Sequence, residues 1–200
     1  MTREEFLAAA LAAATAARGV GAPINPVIAA AQAALESNWG QSQLAREANN
    51  LKGVKAGSSW GGPVIELPTR EWREADGTWY TTVARWRKYA DWKESFEDYG
   101  ALIARVYPVA ASRAEDARAF LEALIHGDRY SYATDPSYVE KVWAIVEQYN
   151  LLDLEPDSDR LLIVFARDGS EVARVPLGSA DVLLRASADG QRVYVRPDEA

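Results

Sequence analysis

The spacing of apolar residues changes along this chain of 200 residues, and that change limits the possible folds more than any other feature. Up to about residue 152 most segments repeat apolar residues at helical spacing, but residues 60–87 alternate as β-strands do. After Pro156, short alternating segments flank Asp168-Gly169 and Asp189-Gly190, and Asp-Gly between apolar runs is a strong hairpin signal. The sequence therefore predicts an α+β fold, with a helical domain, an inserted β-hairpin lobe and a small all-β C-terminal module.

The acidic, proline-containing segment 153–159 is the predicted linker between the two parts. It separates a first domain over residues 1–152 from a β module over residues 160–200. All 7 Trp residues precede the linker, so we expect any sugar-stacking aromatic side chains in the first domain. Because the predicted strands have exposed edges, the module is expected to serve packing or formation of a homo-oligomer.

Local signals delimit the helix that carries the first candidate functional residue. Asn25-Pro26 is typical of a helix start, with asparagine as the N-cap and proline as the first helical residue. An apolar stripe follows over residues 27–35, and Gly40 is expected to end the helix. Glu36 is therefore predicted at the C-terminal end of this helix.

Capping patterns also predict the helices of the second half of this domain. Two patterns of serine followed three residues later by an acid predict helices over about 96–107 and 113–126. Asp135-Pro136 predicts the start of a last helix, whose buried face includes Tyr138 and Tyr149.

The hairpin lobe is predicted from residues 64–72 and 79–86, joined by a turn at Asp76-Gly77. Side chains alternate between the two faces of a strand, so Glu71 is expected on the face opposite to Glu66. A hairpin that faces a helical body creates a cleft, and this cleft is the expected place for a functional site.

The composition excludes several classes of function. With 22 Lys and Arg against 29 Asp and Glu, the net charge of −7 disfavours binding to nucleic acid. The chain has 0 Cys and 1 His, which excludes a cysteine nucleophile and a metal site with two imidazoles, and we predict no metal and no cofactor. Glu4 and Glu5 are unlike the basic start of a signal peptide, and no apolar run is long enough to insert into a membrane.

Glu36 has the predicted environment of a general acid. The carbonyl end of a helix repels a carboxylate, and the apolar neighbours Leu35 and Trp39 are expected to desolvate it. Both effects favour the protonated carboxyl that a proton donor to a glycosidic oxygen requires. The alternative is a solvated glutamate at a fraying helix end, since most glutamates are surface residues.

Five ordered motifs between about residues 28 and 145 extend this hypothesis. They are AQAALESNWG at 31–40, NNLKGVK at 49–55, TREW at 69–72, RKY at 87–89 with ESFEDY at 94–99, and YATDPSY at 132–138. Together they resemble the motifs of bacterial and phage peptidoglycan N-acetylglucosaminidases, of the flagellar-rod hydrolase and autolysin type. Five motifs in this order are far more specific than any one of them.

The resemblance implies a lysozyme-like α+β fold and hydrolysis of the β-1,4 bond after N-acetylglucosamine in peptidoglycan glycan strands. By motif, Glu36 would be the general acid, Glu71 the second carboxylate and Tyr132 the tyrosine that lines the reacting subsite. Asn50 and Tyr138 would contribute to substrate binding, and Asn50 would also hold the cleft wall.

The sequence departs from the family pattern at two positions. Lys52 stands where the family usually has an aromatic residue, and Trp86 replaces the usual phenylalanine before the RKY motif. Lys52 is therefore expected to alter sugar stacking or substrate preference at the cleft wall. Trp60, beside two glycines, is the better candidate for a sugar-binding platform, whereas Trp39 is expected in the core.

Structural alternatives remain for the other candidates. Glu71 is also placed to pair with Arg73 or Arg85 on the hairpin, and Glu66 and Glu74 are nearby rivals for its role. Packing in the loop ahead of the last helix is the alternative role of Tyr132.

The predicted function is that of a peptidoglycan hydrolase without a signal peptide, namely a phage endolysin released from the host cytoplasm or a virion-associated lysin. A non-catalytic wall-binding or assembly module and a muramidase that cuts the other glycan bond are the alternatives. In the predicted mechanism the second carboxylate, Glu71, acts as a base for water, acts as a nucleophile or stabilises attack by the acetamido group of the substrate. Specific wall binding is the alternative role of the β module.

Overall fold

The computed structural model describes residues 1–73 and 76–154, and the backbone of four strands between residues 161 and 197. The chain divides into two compact units, Met1–Tyr149 and Asn150–Ala200. The elements of the first unit are α1 (Arg3–Gly19), α2 (Pro26–Glu36), α3 (Gln43–Ala48), β1 (Val64–Arg73), β2 (Thr78–Arg87), α4 (Trp92–Val106), α5 (Pro108–Ala111), α6 (Ala117–His126) and α7 (Tyr138–Gln148).

Helix α2 lies at the centre of the first unit and packs against both α1 and α7. Its predicted start is confirmed, because the Asn25 side chain accepts a hydrogen bond from the N–H of Ile28 at 3.0 Å. Every residue from Pro26 to Ala34 is buried, as expected for a helix that neighbouring elements surround. The polar side chain of Gln32 is therefore fully enclosed.

Helix α4 passes very close to the segment that precedes α2. A Cβ atom at Gly100 would lie 2.6 Å from the Cβ of Ala22, so a side chain at this position would force the two segments apart. The close approach brings the aromatic residues of α4 against the core.

The helices after the hairpin begin at residues other than those predicted. Asp91 and Asp116 are the N-caps of α4 and α6, each accepting a hydrogen bond from the N–H three residues further on. Ser95, predicted to open a helix, lies buried within α4, because the earlier cap at Asp91 extends the helix toward its N-terminus. Helix α7 likewise has Ser137 rather than Asp135 as its N-cap.

The predicted hairpin is confirmed. Strands β1 and β2 pair antiparallel, with Val64 opposite Arg87 at the base of the hairpin. At the tip, Asp76 Oδ1 accepts a hydrogen bond from the N–H of Thr78 at 3.2 Å, and Gly77 has a φ of 65° that favours glycine.

The base of the hairpin is bound to α4 by residues of the RKY and ESFEDY motifs. Arg87 Nη1 donates to both carboxylate oxygens of Asp98, at 2.5 and 2.7 Å, and the Tyr89 hydroxyl donates to the same carboxylate at 2.7 Å. Burial and the adjacent carboxylate raise the pKa of Tyr89, so its hydroxyl stays a donor. These motifs therefore fix the root of the lobe on the helical body.

The second unit contains β3 (Leu161–Phe165), β4 (Glu171–Pro176), β5 (Val182–Ala186) and β6 (Val193–Pro197). Strand β3 pairs antiparallel with β4, and β5 pairs antiparallel with β6. The predicted Asp-Gly turns lie outside the described residues. Across the part of the chain that the structure describes, no helix combines the length and apolarity that a membrane span requires.

Candidate active site

Glu36 is the last residue of α2, as predicted, and its side chain is exposed. The C-cap residue Ser37 is buried, and its hydroxyl donates to the carbonyl of Ala33 at 2.5 Å. The same hydroxyl accepts a hydrogen bond from the N–H of Gly40 at 2.8 Å. These two bonds terminate α2 immediately after Glu36.

Three consecutive residues after the cap adopt the left-handed conformation. Their φ angles are 51° at Asn38, 58° at Trp39 and 73° at Gly40. A Cβ at Gly40 would lie 2.8 Å from two ring atoms of Phe6, so the turn requires glycine there. The predicted stop at Gly40 is thus the last residue of a left-handed turn that begins at Asn38.

The predicted apolar enclosure of Glu36 is wrong. Leu35 is 37% exposed, and the ring of Trp39 packs against Phe6 and Tyr149, with centroid distances of 6.4 and 5.3 Å. Trp39 therefore packs against the buried Phe6 but stays partly exposed, so it lies at the edge of the core rather than inside it. What holds Glu36 is a polar contact from another helix.

A network of hydrogen bonds leads from Glu36 into the interior. The Tyr138 hydroxyl donates to Glu36 Oε1 at 3.0 Å, and Gln32 Nε2 donates to the Tyr138 hydroxyl at 3.1 Å. Gln32 Oε1 accepts from the Tyr99 hydroxyl at 2.7 Å and from Lys52 Nζ at 3.1 Å. Gln32 precedes Glu36 by one helical turn, so the two side chains share a face of α2. The network ties α2 to α4 and α7 behind the exposed carboxyl.

Tyr132 lies in a cluster of tyrosine rings beside this network. Its ring centroid is 5.8 Å from that of Tyr138, 6.0 Å from Tyr99 and 5.8 Å from Tyr107. Burial raises the pKa of both Tyr132 and Tyr138, and the nearby Glu36 carboxylate raises it further. Both hydroxyls therefore stay protonated at neutral pH, as donors close to the candidate acid.

Glu71 stands in β1 opposite Tyr80, on the same face of the hairpin as Thr69. Glu66 belongs to the opposite face, where it is exposed and paired in register with Arg85. The register runs without a bulge from position 66 to position 71, so the alternation on which the predicted difference in face depends is present. The other rival, Glu74, lies outside the described residues.

Of the two arginines predicted as alternative partners of Glu71, Arg73 has contacts of its own. Arg73 Nη1 donates to Asp76 Oδ2 at 3.2 Å, and its guanidinium lies 4.6 Å from the ring centroid of Tyr80. Arg85 is in register with Glu66 across the hairpin. The catalytic assignment of Glu71 remains a proposal.

Asn50 supports the cleft wall from inside. Its side chain is 1% exposed, its Oδ1 accepts from the N–H of Val54 at 2.9 Å, and its Nδ2 donates to the carbonyls of Val54 and Arg87. Both amide hydrogens are thus bound to backbone oxygens. The geometry is that of a residue that joins the loop after α3 to the end of β2, and the contribution of Asn50 to substrate binding stays a prediction.

Trp60 lies in the loop that precedes the hairpin. Its Nε1 donates to the carbonyl of Pro63 at 3.0 Å, its ring meets that of Tyr89 edge-on, and the Arg87 guanidinium lies 4.5 Å from its ring centroid. The ring is therefore packed into its own loop by these contacts. The structure groups Trp60 with the hairpin root, whereas Glu36, Tyr132 and Tyr138 form a separate group.

Sequence reasoning missed the interior of the site. The motifs alone do not distinguish Gln32 and Tyr99 as site residues. Lys52, predicted to affect sugar stacking, has its side chain turned into the protein and 8% exposed. One signal was available: Gln32 interrupts an apolar helix one turn before Glu36. A buried amide needs hydrogen-bond partners, and such a position indicates a polar network.

Comparison with known proteins agrees with this geometry. The sequence matches the glucosaminidase family, described as mannosyl-glycoprotein endo-beta-N-acetylglucosaminidase, over residues 10–151. It is 36% identical over 155 residues to the peptidoglycan hydrolase FlgJ of Salmonella typhimurium, across 72% of this chain and 46% of that protein. It is 39% identical over 131 residues to the exo-glucosaminidase LytG of Bacillus subtilis, across 64% of this chain and 45% of that protein.

A solved structure gives the same result for the fold. The C-terminally truncated glycoside hydrolase domain of Salmonella typhimurium FlgJ superposes with a TM-score of 0.62 at 35% identity. The superposition covers 75% of this chain and 99% of that chain.

The helical body with an inserted antiparallel hairpin is consistent with a lysozyme-like glucosaminidase domain, and it carries a glutamate held at a helix end. The match extends over most of the first unit, and the chain belongs to the glucosaminidase family. The resemblance predicted from the five motifs is thereby confirmed. The chain spans less than half the length of the two curated relatives, so the similarity concerns only part of those proteins.

Proposed function

We propose that this chain hydrolyses the β-1,4 glycosidic bond after N-acetylglucosamine in peptidoglycan, with Glu36 as the general acid. The observation that carries the proposal is the hydrogen bond from the Tyr138 hydroxyl to Glu36 Oε1. It engages one carboxyl oxygen from the protein side and leaves Oε2, on an exposed side chain, for the proton that the substrate takes. The names of FlgJ and LytG, a peptidoglycan hydrolase and an exo-glucosaminidase, support the choice of substrate and bond.

The same contact supplies stabilisation when the proton moves. As Glu36 gives its proton to the glycosidic oxygen and the bond from that oxygen to the sugar breaks, negative charge develops on the carboxyl group. The Tyr138 hydroxyl is already in place as a donor, so its hydrogen bond becomes stronger in the transition state than in the ground state. A contact with that property lowers the barrier, whereas one of equal strength in both states does not.

The positive centre left on the sugar requires a second group. We propose Glu71 for this role, because it shares the hairpin face of Thr69 and not that of the exposed Glu66. It would act as a base for water, as a nucleophile, or by stabilising attack from the acetamido group of the substrate. Tyr132, beside Tyr138, is proposed to line the subsite in which this centre forms.

Digestion of purified peptidoglycan followed by mass spectrometry of the reduced products tests the bond and the acid together. We expect new reducing ends that carry N-acetylglucosamine with the wild-type chain, and none with Glu36→Gln. New ends that carry N-acetylmuramic acid would replace the proposal by the muramidase alternative. If the wild-type chain binds wall but releases no fragment, the non-catalytic alternative replaces it.

The biological setting is proposed to be that of a phage endolysin or virion-associated lysin. Expression in a susceptible bacterium, with and without a pore-forming protein that opens the inner membrane, tests the endolysin hypothesis. Lysis only when the pore is present supports it. Lysis of the host without the pore contradicts an enzyme that waits in the cytoplasm.

A further inference from the structure

Lys52 places an ammonium group in the wall behind Glu36, where the proposed reaction assigns it no role. The side chain is 8% exposed, and Nζ donates to the carbonyl of Ala29 at 3.0 Å and to Gln32 Oε1 at 3.1 Å. The ammonium also lies 4.3 Å from the ring centroid of Tyr99 and 5.8 Å from that of Phe96. A lysine is seldom buried without a function or a fixed partner, because removal of its charge from water is unfavourable.

The hydrogen bonds of Lys52 determine the direction of every later bond in the network. An ammonium group can only donate, so the Gln32 atom that faces Lys52 must be the oxygen. The amide nitrogen of Gln32 therefore faces Tyr138, whose hydroxyl oxygen accepts from it at 3.1 Å. The hydroxyl proton of Tyr138 is then left for Glu36 Oε1. Lys52 thus fixes which way Tyr138 donates.

We propose that Lys52 is a positioning residue for Glu36, which orients Gln32 and Tyr138 toward the carboxyl group and places a positive charge behind it. This inference rests on the proposed role of Glu36 as the general acid. Lys52 acts through other residues and does not touch the substrate, so its replacement should affect the rate and its pH dependence more than substrate binding.

The charge of Lys52 changes near neutral pH. Burial lowers the pKa of Lys52 to about 7, and the Glu36 carboxylate opposes part of that decrease. The titratable groups around it are Glu36 on α2, Tyr99 on α4 and, across Gln32, Tyr138 on α7. The positive charge is therefore present below about pH 7 and is lost above it, whereas both tyrosines remain neutral.

Three variants separate the effects of charge, hydrogen bonding and position. Lys52→Met removes the charge and the donor, whereas Lys52→Gln removes the charge and keeps a donor. Lys93→Met is the matched control, because it removes one lysine charge from α4, where Lys93 pairs with Glu97. The pH dependence of kcat and of kcat/KM on soluble glycan fragments is measured for each variant and for wild type.

Loss of the positive charge favours the protonated form of the carboxyl group at position 36. The pH profile of kcat/KM should therefore differ from that of wild type in both Lys52→Met and Lys52→Gln. In Lys52→Met, kcat at the optimum should fall by about tenfold while KM changes less than about twofold. Lys93→Met should keep the wild-type profile. Profiles of both Lys52 variants that coincide with wild type would overturn the inference.

The NMR signal of the carboxyl group at position 36 does not depend on catalysis, so it tests this inference separately from the proposed function. With ¹³C-labelled glutamate, the carboxyl resonance lost in Glu36→Gln identifies position 36. At a pH below 7, where Lys52 is charged, the chemical shift of this resonance should differ between wild type and Lys52→Met. If wild type degrades no glycan at any pH, the proposed function fails whatever the resonance shows. If both Lys52 variants fail to fold, the test is made on wild type alone. The carboxyl resonance of position 36 must then change its chemical shift near pH 7, where Lys52 loses its proton. No change near pH 7 overturns the inference.

Discussion

Tyr138 and Glu36, 102 positions apart in the chain, are joined by a hydrogen bond of 3.0 Å between the first residue of α7 and the last residue of α2. The end of α2 alone would disfavour a carboxylate, because the last carbonyl groups of the helix point toward it. The tyrosine hydroxyl supplies the donor that the helix end lacks. The candidate acid therefore depends on the packing of α7 against α2.

Glu36→Gln should abolish hydrolysis of purified peptidoglycan without loss of the fold. The amide has nearly the shape of the carboxyl group, and its oxygen can still accept from Tyr138, but it has no acidic proton. General acid catalysis contributes about 10²–10⁴-fold in rate, so the initial rate of glycan release should fall by at least that lower factor. Glu47→Gln, an exposed substitution on α3, is the control and should keep the wild-type rate. A residual rate above about a tenth of wild type would contradict the assignment.

Tyr138→Phe should reduce the rate and also destabilise the fold. The variant removes the donor to Glu36 and leaves Gln32 Nε2 without its acceptor in a buried position, which costs about 1–3 kcal/mol. We expect a fall in kcat of about tenfold, smaller than that of Glu36→Gln, because the acidic proton remains. Urea unfolding and steady-state kinetics measure the two effects. Unchanged kcat with lowered stability would show that the bond from Tyr138 is only structural.

The assignment of Glu71 is tested against a residue on the opposite face of the same strand. Glu71→Gln should lower the rate on peptidoglycan, by less than Glu36→Gln, whereas Glu66→Gln should have little effect, because Glu66 is exposed and in register with Arg85. Initial rates of the two variants, measured at equal protein concentration, give the comparison. The reverse order would mean that the second carboxylate has been placed on the wrong face of the hairpin.

The parts of the fold that sequence reasoning predicted correctly are those set by local signals. The start of α2 follows from Asn25-Pro26, and the alternation of β1 and the Asp76-Gly77 turn fix the register of the hairpin. The start of α4 was missed because two acceptable caps, Asp91 and Ser95, lie four residues apart. Packing decided between them, since Ser95 is buried inside the helix.

The candidate acid could be predicted from sequence, but its surroundings could not. The position of Glu36 at a helix end depends on neighbours in the chain. Its partner Tyr138 and the residues behind it, Tyr99 and Lys52, come from other elements. Lys52 is an example. It stands in the NNLKGVK motif at a position that is usually aromatic, and this suggests contact with sugar. Only the tertiary structure shows that its ammonium group is buried.

Residues 153–200 are predicted to be dispensable for hydrolysis itself. A chain that ends at Leu152 keeps every described contact of Glu36 and Tyr138, so it should hydrolyse soluble glycan fragments at a measurable rate. Its affinity for insoluble wall should fall less than about tenfold, or ~1.4 kcal/mol, if the β module serves packing or oligomerisation. Co-sedimentation with wall measures this, with circular dichroism as the control for folding. A folded, shortened chain that no longer sediments would assign wall targeting to the module.

The buried position of Lys52 predicts a stability that depends on pH in a defined window. The pKa of this lysine is lowered from 10.5 to about 7 by burial, so between these values the unfolded chain binds a proton that the native chain does not. Stability contributed by this group therefore rises with pH through that window, and below about pH 7 it no longer varies because both states are protonated. Urea unfolding at pH 6 and pH 9.5 measures the free energy of unfolding of wild type and of Lys52→Met. The value for wild type minus the value for Lys52→Met should be larger at pH 9.5 than at pH 6, by roughly 2–4 kcal/mol. This difference cancels the pH-dependent contributions of the titratable groups that both proteins share, including the buried tyrosines. The same measurement on Lys93→Met corrects for the loss of one lysine charge. A difference that is the same at both pH values would mean that Lys52 titrates as an ordinary exposed lysine, and its ammonium group would then not lie in the wall behind Glu36.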